Sequence, residues 1–338
     1  MAWLLGATGV GRAAAAWSGI EFLGYQLRHS EWEGLRYYDL IWPSFMLMVG
    51  MAIPFALARR PPGERRGSNM GRVWRRALVL FLLGSFRESL GDGVPRWIEL
   101  SSALQPIAIA YLVASYLAGR PPRLQFGIAA GILAGHALLL AFVPASGITP
   151  GTYEKGRNLV TAMDLAVLGR AHPDGWGTVL STIPTVANTL AGLLLGQVLQ
   201  SGRSTQAKLV TLAATGIGCL ILGYALSPWI PIIMKLWTTT YALVSIGWSC
   251  LLFLAFYGII DVQGWRSGSF PLVVVGVNAL AAYLLPTVVP LGKITGVFVK
   301  PIAGQAGSFG PVLLASATFM AGWLILWWMY RRRIFLTA

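Results

Sequence analysis

Charge is what this sequence has least of. Of 338 residues only 11% are Asp, Glu, Lys or Arg, where a soluble domain carries about 25%. Acidic residues are the scarcer sign, 12 against 26 basic ones. A chain that is also 56% hydrophobic has a membrane protein's composition, and little of it is left for a soluble domain. Cysteine is nearly absent. Cys219 and Cys250 both lie in apolar runs, where they read as small packing residues rather than as a disulfide. The histidines are three, His29, His136 and His172, without HExxH or paired-cysteine spacing, so no metal is expected. There is no P-loop, no repeat of fixed period, and no pair of Gly/Pro-broken helices at matching positions in two halves.

What is present is a succession of apolar runs near the ~20 residues that cross a bilayer. They predict an all-α integral membrane fold, a polytopic helical bundle of about ten transmembrane helices with the first short or partial, and residues 1–338 as one integral membrane domain. The expected complete spans are Tyr37 to Ala58, Trp74 to Leu90, Ser102 to Ala118, Leu124 to Val143, Thr178 to Leu199, Ala207 to Leu226, Thr238 to Ile260, Phe270 to Val289 and Pro311 to Tyr330. The first segment, Ala2 to Gly11, is cut short by Arg12, and it lacks the basic start and cleavage site of a secretory signal. Gly91 to Leu100, Pro144 to Gly177, the turn around Lys235 and Pro290 to Gly310 are expected as loops.

The net charge of +14 is scattered between spans rather than gathered on one face, which argues against nucleic acid. The run "RRPPGERRGSNMGRVWRR" (Arg59 to Arg76), the tail Arg331 to Arg333, and Arg120, Arg123, Arg203, Lys208 and Arg266 share one loop parity. Short loops rich in arginine stay inside, so both termini are expected in the cytoplasm and the protein in the cell inner (plasma) membrane. The stretch "QLRHSEWEGLRYYDLIWPSF" (Gln26 to Phe45) then falls on the extracytoplasmic side.

In that stretch Glu31, Glu33 and Asp39 follow His29, among Trp32, Tyr37, Tyr38 and Trp42. An imidazole beside carboxylates at a membrane edge is suited to general-base work. The residues taken alone favour the plainer reading, an interfacial loop with a belt of aromatics, with Asp39 as the N-cap of the following helix. His172, in "RAHPDGWG", is expected in a turn, and His136, in mid-span, as a contact between helices. Gln105, Asn188, Lys235 with its neighbour Trp237, and Asn278 are polar groups at span edges or within spans; each is expected to face the bundle interior or a wet cavity.

Four stretches then carry a resemblance: "HSEWEGLRYYDLIWPSFMLMVGMAIPF" (His29 to Phe55), "LQPIAIAYLVASYL" (Leu104 to Leu117), "HPDGWGTVLSTIPTVANTLAGLLLGQVL" (His172 to Leu199), and "KLWTTTYALVSIGWSCLLFLAFYGIIDVQGW" (Lys235 to Trp265) running on into "PLVVVGVNALAAY" (Pro271 to Tyr283). In their order they resemble the transmembrane acyltransferase family of heparan-α-glucosaminide N-acetyltransferase, in particular its bacterial members. The resemblance implies a homodimeric, acetyl-CoA-dependent N- or O-acetyltransferase. Such an enzyme moves an acetyl group from cytoplasmic acetyl-CoA, its co-substrate, to an amino or hydroxyl group of a sugar or glycan outside. It identifies His29 with the family's catalytic histidine, in H-x-x-W-x-G, and reverses the plainer reading of the loop. Asp39 is then expected to orient His29, and Gln105, Lys235, Trp237 and Asn278, with Arg75 and Arg76 (and Arg72 beside them), to hold the coenzyme or an oxyanion. The chain departs from the family in its first helix, and in Gln105-Pro106 where the family has Gln-Arg. The rival expectation from another class is a transporter or channel for a sugar or its lipid-linked form, and a third is a member that binds coenzyme A without turnover.

Overall fold

The computed structural model describes residues 3–58, 66–95, 97–100 and 102–336. Helices make up 74% of the structure. Among the described residues the only strands form one short hairpin, β1 (Tyr153–Glu154) with β2 (Arg157–Asn158). In hydrocarbon every backbone N–H and C=O must be satisfied within its own segment, which leaves the helix as the form an apolar run adopts.

The helices in chain order are α1 (Thr8–Ser18), entered through a wide turn at Trp3–Ala7, α2 (Glu21–Gln26), α3 (Ile41–Ala58), α4 (Arg66–Asp92) and α5 (Leu104–Leu117). There follow α6 (Pro122–Phe142), α7 (Leu159–Leu168), α8 (Val179–Gln200), α9 (Thr205–Leu226) and α10 (Thr239–Phe256). The chain closes with α11 (Phe270–Val277), α12 (Ala279–Val288), α13 (Leu291–Gln305) and α14 (Gly310–Arg331). Among the described residues six helical segments are long and apolar enough to cross a membrane: Tyr37–Ala58, Pro122–Phe142, Val179–Gln200, Thr205–Leu226, Thr239–Val262 and Gly307–Arg331. The bent pair α11 and α12 makes a seventh if the two halves together form one broken span. The expectation of an all-α membrane bundle is met at this level, with six or seven such segments among the described residues against the ten expected. α4 is long but carries Arg72, Arg75, Arg76, Arg87 and Glu88, and α5 has only 14 residues.

Three expectations need correction. The stretch Pro144 to Gly177 is not all loop but holds α7 and the β1–β2 hairpin. The span Phe270 to Val289 is not one helix, because the chain breaks at Asn278 (φ −113°, ψ 43°) and turns by 75°. The stretch Pro290 to Gly310 is not a loop but holds α13. Its three glycines, Pro301, Lys293 and Lys300 hide the helical period, and its partner supplies what local propensity does not. α13 runs antiparallel along the first half of α14, with Thr295 and Thr318 hydroxyls 2.9 Å apart and Gly310 set against the Ala303 carbonyl.

α8 is the axis of the first ten helices: 78% of its span is buried, against 17% for α9, which lies at the rim. α3, α5 and α6 pack around α8, and α9 packs on α10. The tightest seam is between α3 and α8, where Gly50 faces the Thr189 carbonyl and Gly192 the Leu47 carbonyl, closer than any Cβ could stand. Small residues four apart, here Gly192 and Gly196, let two backbones meet in a membrane where no hydrophobic effect drives helices together. Hydroxyls stitch the same core, Ser44 to Ser249 at 2.7 Å and Thr239 to the Leu133 carbonyl at 2.7 Å.

A side chain on Gly192 must push α3 and α8 apart. Gly192→Val is expected to cost about 1–3 kcal/mol and to lower the unfolding midpoint in detergent. Gly131→Ala, at a glycine with nothing within 4 Å of a new Cβ, should leave the midpoint unchanged; equal melting of the two variants would refute the seam.

Candidate functional site

The bundle has an arginine-rich end, where α3 finishes and α4, α6 and α9 begin, and an opposite end where α3, α8 and α10 begin. Four loops converge on the second end. The loop after α2 is pinned by Gly34 N–H donating to the Ile232 carbonyl (2.8 Å) and by an antiparallel bridge between Glu33 and Ile233. The Trp32 indole donates to the Tyr153 carbonyl at 2.8 Å, which ties in the β1–β2 hairpin. Gly175 lies against the Trp32 ring and Lys155 at φ +79°, a left-handed conformation that glycine adopts at no steric cost.

At their meeting point Asp39 is fully buried and His29 is 40% exposed, with Nδ1 2.8 Å from Asp39 Oδ1. Asp39 is not the N-cap of α3. It sits in the 3-10 turn Tyr37–Leu40 that leads into α3 and reaches back to the Arg36 N–H (2.9 Å). Both its oxygens also lie 3.3 Å from the Ser30 N–H. A carboxylate accepts only, so the histidine nitrogen facing it carries the hydrogen, and the bare Nε2 is the one left for chemistry. The loop is braced further by the Arg36 guanidinium donating to the His29 carbonyl (2.7 Å) while stacking on Tyr25, and by Tyr37 N–H donating to Gln26 Oε1 (2.9 Å). Glu31 and Glu33 are exposed and take no part in the dyad.

A file of rings runs inward from the dyad. His29 lies 5.4 Å from Trp176 and 4.5 Å from Tyr38; Trp176 is 6.3 Å from Trp42, and Trp42 is 4.9 Å from Trp237. Trp237 packs on Tyr241, whose hydroxyl donates to the Asp39 carbonyl (2.7 Å) and closes the ring. Trp237 has φ +50°, a strained backbone for a bulky residue. It is held there by its indole donating to Asn188 Oδ1 (3.2 Å), whose amide donates to the Ser245 hydroxyl (3.2 Å). Lys235 stands over Trp176 (5.8 Å) and donates to the Asp174 carbonyl (3.0 Å). Burial, with help from the Lys155 charge, pulls its pKa below the ordinary lysine value against the opposing pull of Asp174, Asp39 and Glu31. It therefore loses its proton at a lower pH than a free lysine.

Below the rings lies a cavity of about 250 Å³, walled by Trp42, Phe45, Leu80, Ile107 and Tyr283 among others. It adjoins a second of about 710 Å³ toward the arginine-rich end. The two share Phe45, Val49, Arg76, Tyr111, Gly276 and Ala279 as walls, with the Arg76 guanidinium 4.9 Å from the Tyr111 ring. The Trp42 Nε1–H is buried at the head of this space without a hydrogen-bond partner.

The expected site residues thus divide. His29, Asp39, Lys235 and Trp237 come together at one end, and Arg76 lines the cavities toward the other. Arg75 is exposed on α4. Gln105 is buried but committed elsewhere, donating to the Ser85 hydroxyl (2.9 Å) and the Trp97 carbonyl (3.0 Å) and accepting from Glu99 N–H (2.8 Å). Asn278 clamps the carboxy-terminal segment through the Ile334 carbonyl (3.1 Å) and Leu336 N–H (3.0 Å). His136 is buried 3.4 Å from the Leu236 carbonyl, and His172 lies in the turn that Gly175 closes. Trp176, Tyr111 and Tyr241 join the site without having been singled out for it, and Trp42, named only among the aromatics around His29, joins it as a cavity wall. For all but Tyr111, which stands in mid-span, the signal in the sequence was aromatic enrichment at span ends, shared by any membrane belt. The chain matches no model of a known protein family and no curated protein.

Asp39 is expected to fix the tautomer of His29. With three histidines in the chain, ¹⁵N NMR of labelled histidine resolves it: neutral His29 should carry its hydrogen on Nδ1, and Asp39→Ala should release it to Nε2. The same change orphans two backbone N–H groups and is expected to cost about 1–3 kcal/mol. An Nε2-protonated ring in the parent protein would contradict this geometry.

Proposed function

We propose that the protein is a transmembrane acyltransferase that moves an acetyl group from acetyl-CoA, reaching up from the arginine-rich end, to an amino or hydroxyl group of a sugar or glycan arriving at the His29 end. The observation that carries this reading is the pairing of half-exposed His29 with fully buried Asp39 (Nδ1 to Oδ1, 2.8 Å), linked through the Trp176 and Trp42 rings to a cavity that Trp42 lines and that shares Arg76 as a wall with a second. In this reading α1, α4 and α5 also cross, and α11 to α13 make one crossing together, which gives ten with both termini cytoplasmic and His29 outside. The enzyme works as a homodimer in the inner membrane.

The residues fit the coenzyme at two points. The orphaned Trp42 Nε1–H offers a donor to a carbonyl oxygen in the upper cavity, and Arg76 offers a cation to phosphates in the lower one. Bound there, acetyl-CoA supplies an activated thioester, so the protein's work is alignment and charge stabilisation. His29 Nε2 accepts the proton of the acceptor's amine or hydroxyl as the new N–C or O–C bond forms and the C–S bond breaks, and then returns that proton to the departing sulfur. Asp39 holds the imidazole by its other nitrogen and stabilises the imidazolium that forms in between. Trp176 and Tyr38 flank His29 with ring faces suited to a sugar, and Lys235 supplies a positive charge beside them. Gln105 and Asn278, bonded to neighbouring backbone, keep the walls in place rather than reaching into the cavity.

A transporter would need a polar path. Asn188, buried against the Trp237 indole, is bonded to Trp237 and Ser245, and the cavity walls are mostly apolar.

Purified protein given labelled acetyl-CoA and a panel of amino sugars is expected to transfer label, with His29→Ala slowing the chemical step by about 10² to 10⁴-fold. Trp42→Phe, which keeps the ring and deletes the donor, should lower kcat, and Val49→Trp, which fills the shared wall, should raise KM for acetyl-CoA. Undiminished turnover in His29→Ala would sink the mechanism, and sugar flux into proteoliposomes without coenzyme A would favour the transporter.

A further inference from the structure

A third space, larger than the two cavities below the rings, shares no wall with them. α6 packs on α8, and α9 packs on α10; between α6 and α9 an open trough of about 880 Å³ remains, floored by α8 and α10. It runs from Pro122 and Arg203 at the arginine-rich end to Leu138, Leu226 and Ile230 at the other. Along α6 that is 16 residues from Pro122 to Leu138, or about 24 Å at ~1.5 Å per residue. That is most of a hydrocarbon core of ~30 Å. Its walls are aliphatic and aromatic almost throughout, with Phe126 and Leu222 exposed on its flanks.

Charge marks one end. Arg203 lines the mouth, is exposed, and has no ion pair or hydrogen bond among the described residues. Arg123 and Lys208 are close in sequence to it or to Pro122, on the first turns of α6 and α9. Not one Asp or Glu occurs in α6, α8, α9 or α10, so the protein supplies no counter-charge on these helices. The mouth wants an anion and the trough wants a hydrocarbon chain.

We propose that the trough is a binding site for an anionic phospholipid, with one acyl chain lying along α6 and α9 and the phosphate at Arg203. Basic residues at an anionic bilayer surface each favour binding, and a groove between helices roofed only by lipid admits a chain from the side. A second copy of the chain fits less well. A two-fold interface brings a patch onto itself, which would set concave on concave and arginine on arginine.

The test is native mass spectrometry of the detergent-purified protein titrated with phosphatidylglycerol and phosphatidylcholine of identical chains. The protein should retain phosphatidylglycerol in preference, and Arg203→Gln should cut that preference roughly fivefold, the worth of one basic residue at such a surface. Ala134→Trp or Ala130→Trp, at exposed small residues of the trough wall, should abolish retention of either lipid. Phosphatidylglycerol with a photoactivatable chain should label peptides of α6 and α9 in the parent protein, a readout that does not depend on any variant folding. Equal retention of both lipids, indifference to Arg203→Gln, labelling elsewhere, or a dimer that the tryptophan variants dissociate would each overturn the proposal.

Discussion

Burying Asp39 is the constraint on which the His29 end of the molecule turns. A carboxylate withdrawn from water carries a desolvation penalty of several kcal/mol unless its lone pairs are met. Here they are met by the Ser30 and Arg36 N–H groups and by His29. Those bonds reach across ten residues of chain and draw the loop before α3 into a ring around one side chain. The 3-10 turn into α3, the orientation of the imidazole and the exposure of its Nε2 all follow from that one accommodation. The Tyr241 hydroxyl, from the first turn of α10, fastens the Asp39 backbone to the core. The dyad is therefore tied to the bundle rather than carried on a free loop.

The bundle in turn is held to a fixed spacing by the α3–α8 seam. Glycines at Gly50 and Gly192 let the two backbones touch, and α3 carries Trp42 and Phe45 toward the opposite side, into the cavity that Arg76 also lines. One helix thus serves the core with one face and the candidate site with the other. The strain at Trp237 belongs to the same arrangement. A positive φ at a tryptophan survives only where its surroundings over-determine it, and Asn188, Trp42 and Tyr241 do so from three different helices. The lipid trough lies on the far flank, where α9 is mostly at the rim, so its chemistry is free to differ from that of the dyad.

Much of the framework was legible along the chain. Runs such as Val179–Gln200 and Thr205–Leu226 declare themselves by length and apolarity, and their ends were placed within a residue or two. The exceptions are local. Asn278 splits a continuous apolar run, because apolarity reports the solvent of a segment and says nothing of a bend. α13 was hidden by glycine and lysine, since its helicity rests on packing along α14. His29 and Asp39 were visible as a cluster, yet their pairing was not, nor was the engagement of Gln105 with the loop at Trp97 to Glu99 or of Asn278 with the carboxy-terminal segment. A polar residue in an apolar run announces only that it needs a partner.

The sequence by itself determined the solvent, the helical form that this solvent compels, and the crowding of positive charge at alternate ends of the apolar runs, because these depend on composition and on periods of a few residues. The tertiary structure alone decided that His29, Trp176, Trp42, Trp237 and Tyr241 form one file, that Arg76 shares a cavity wall with residues near it, and that α6 and α9 stand apart. Those facts depend on how helices distant in the chain turn their faces to one another. That rotation is set by the fit of small and large side chains across each seam, and no single segment encodes it.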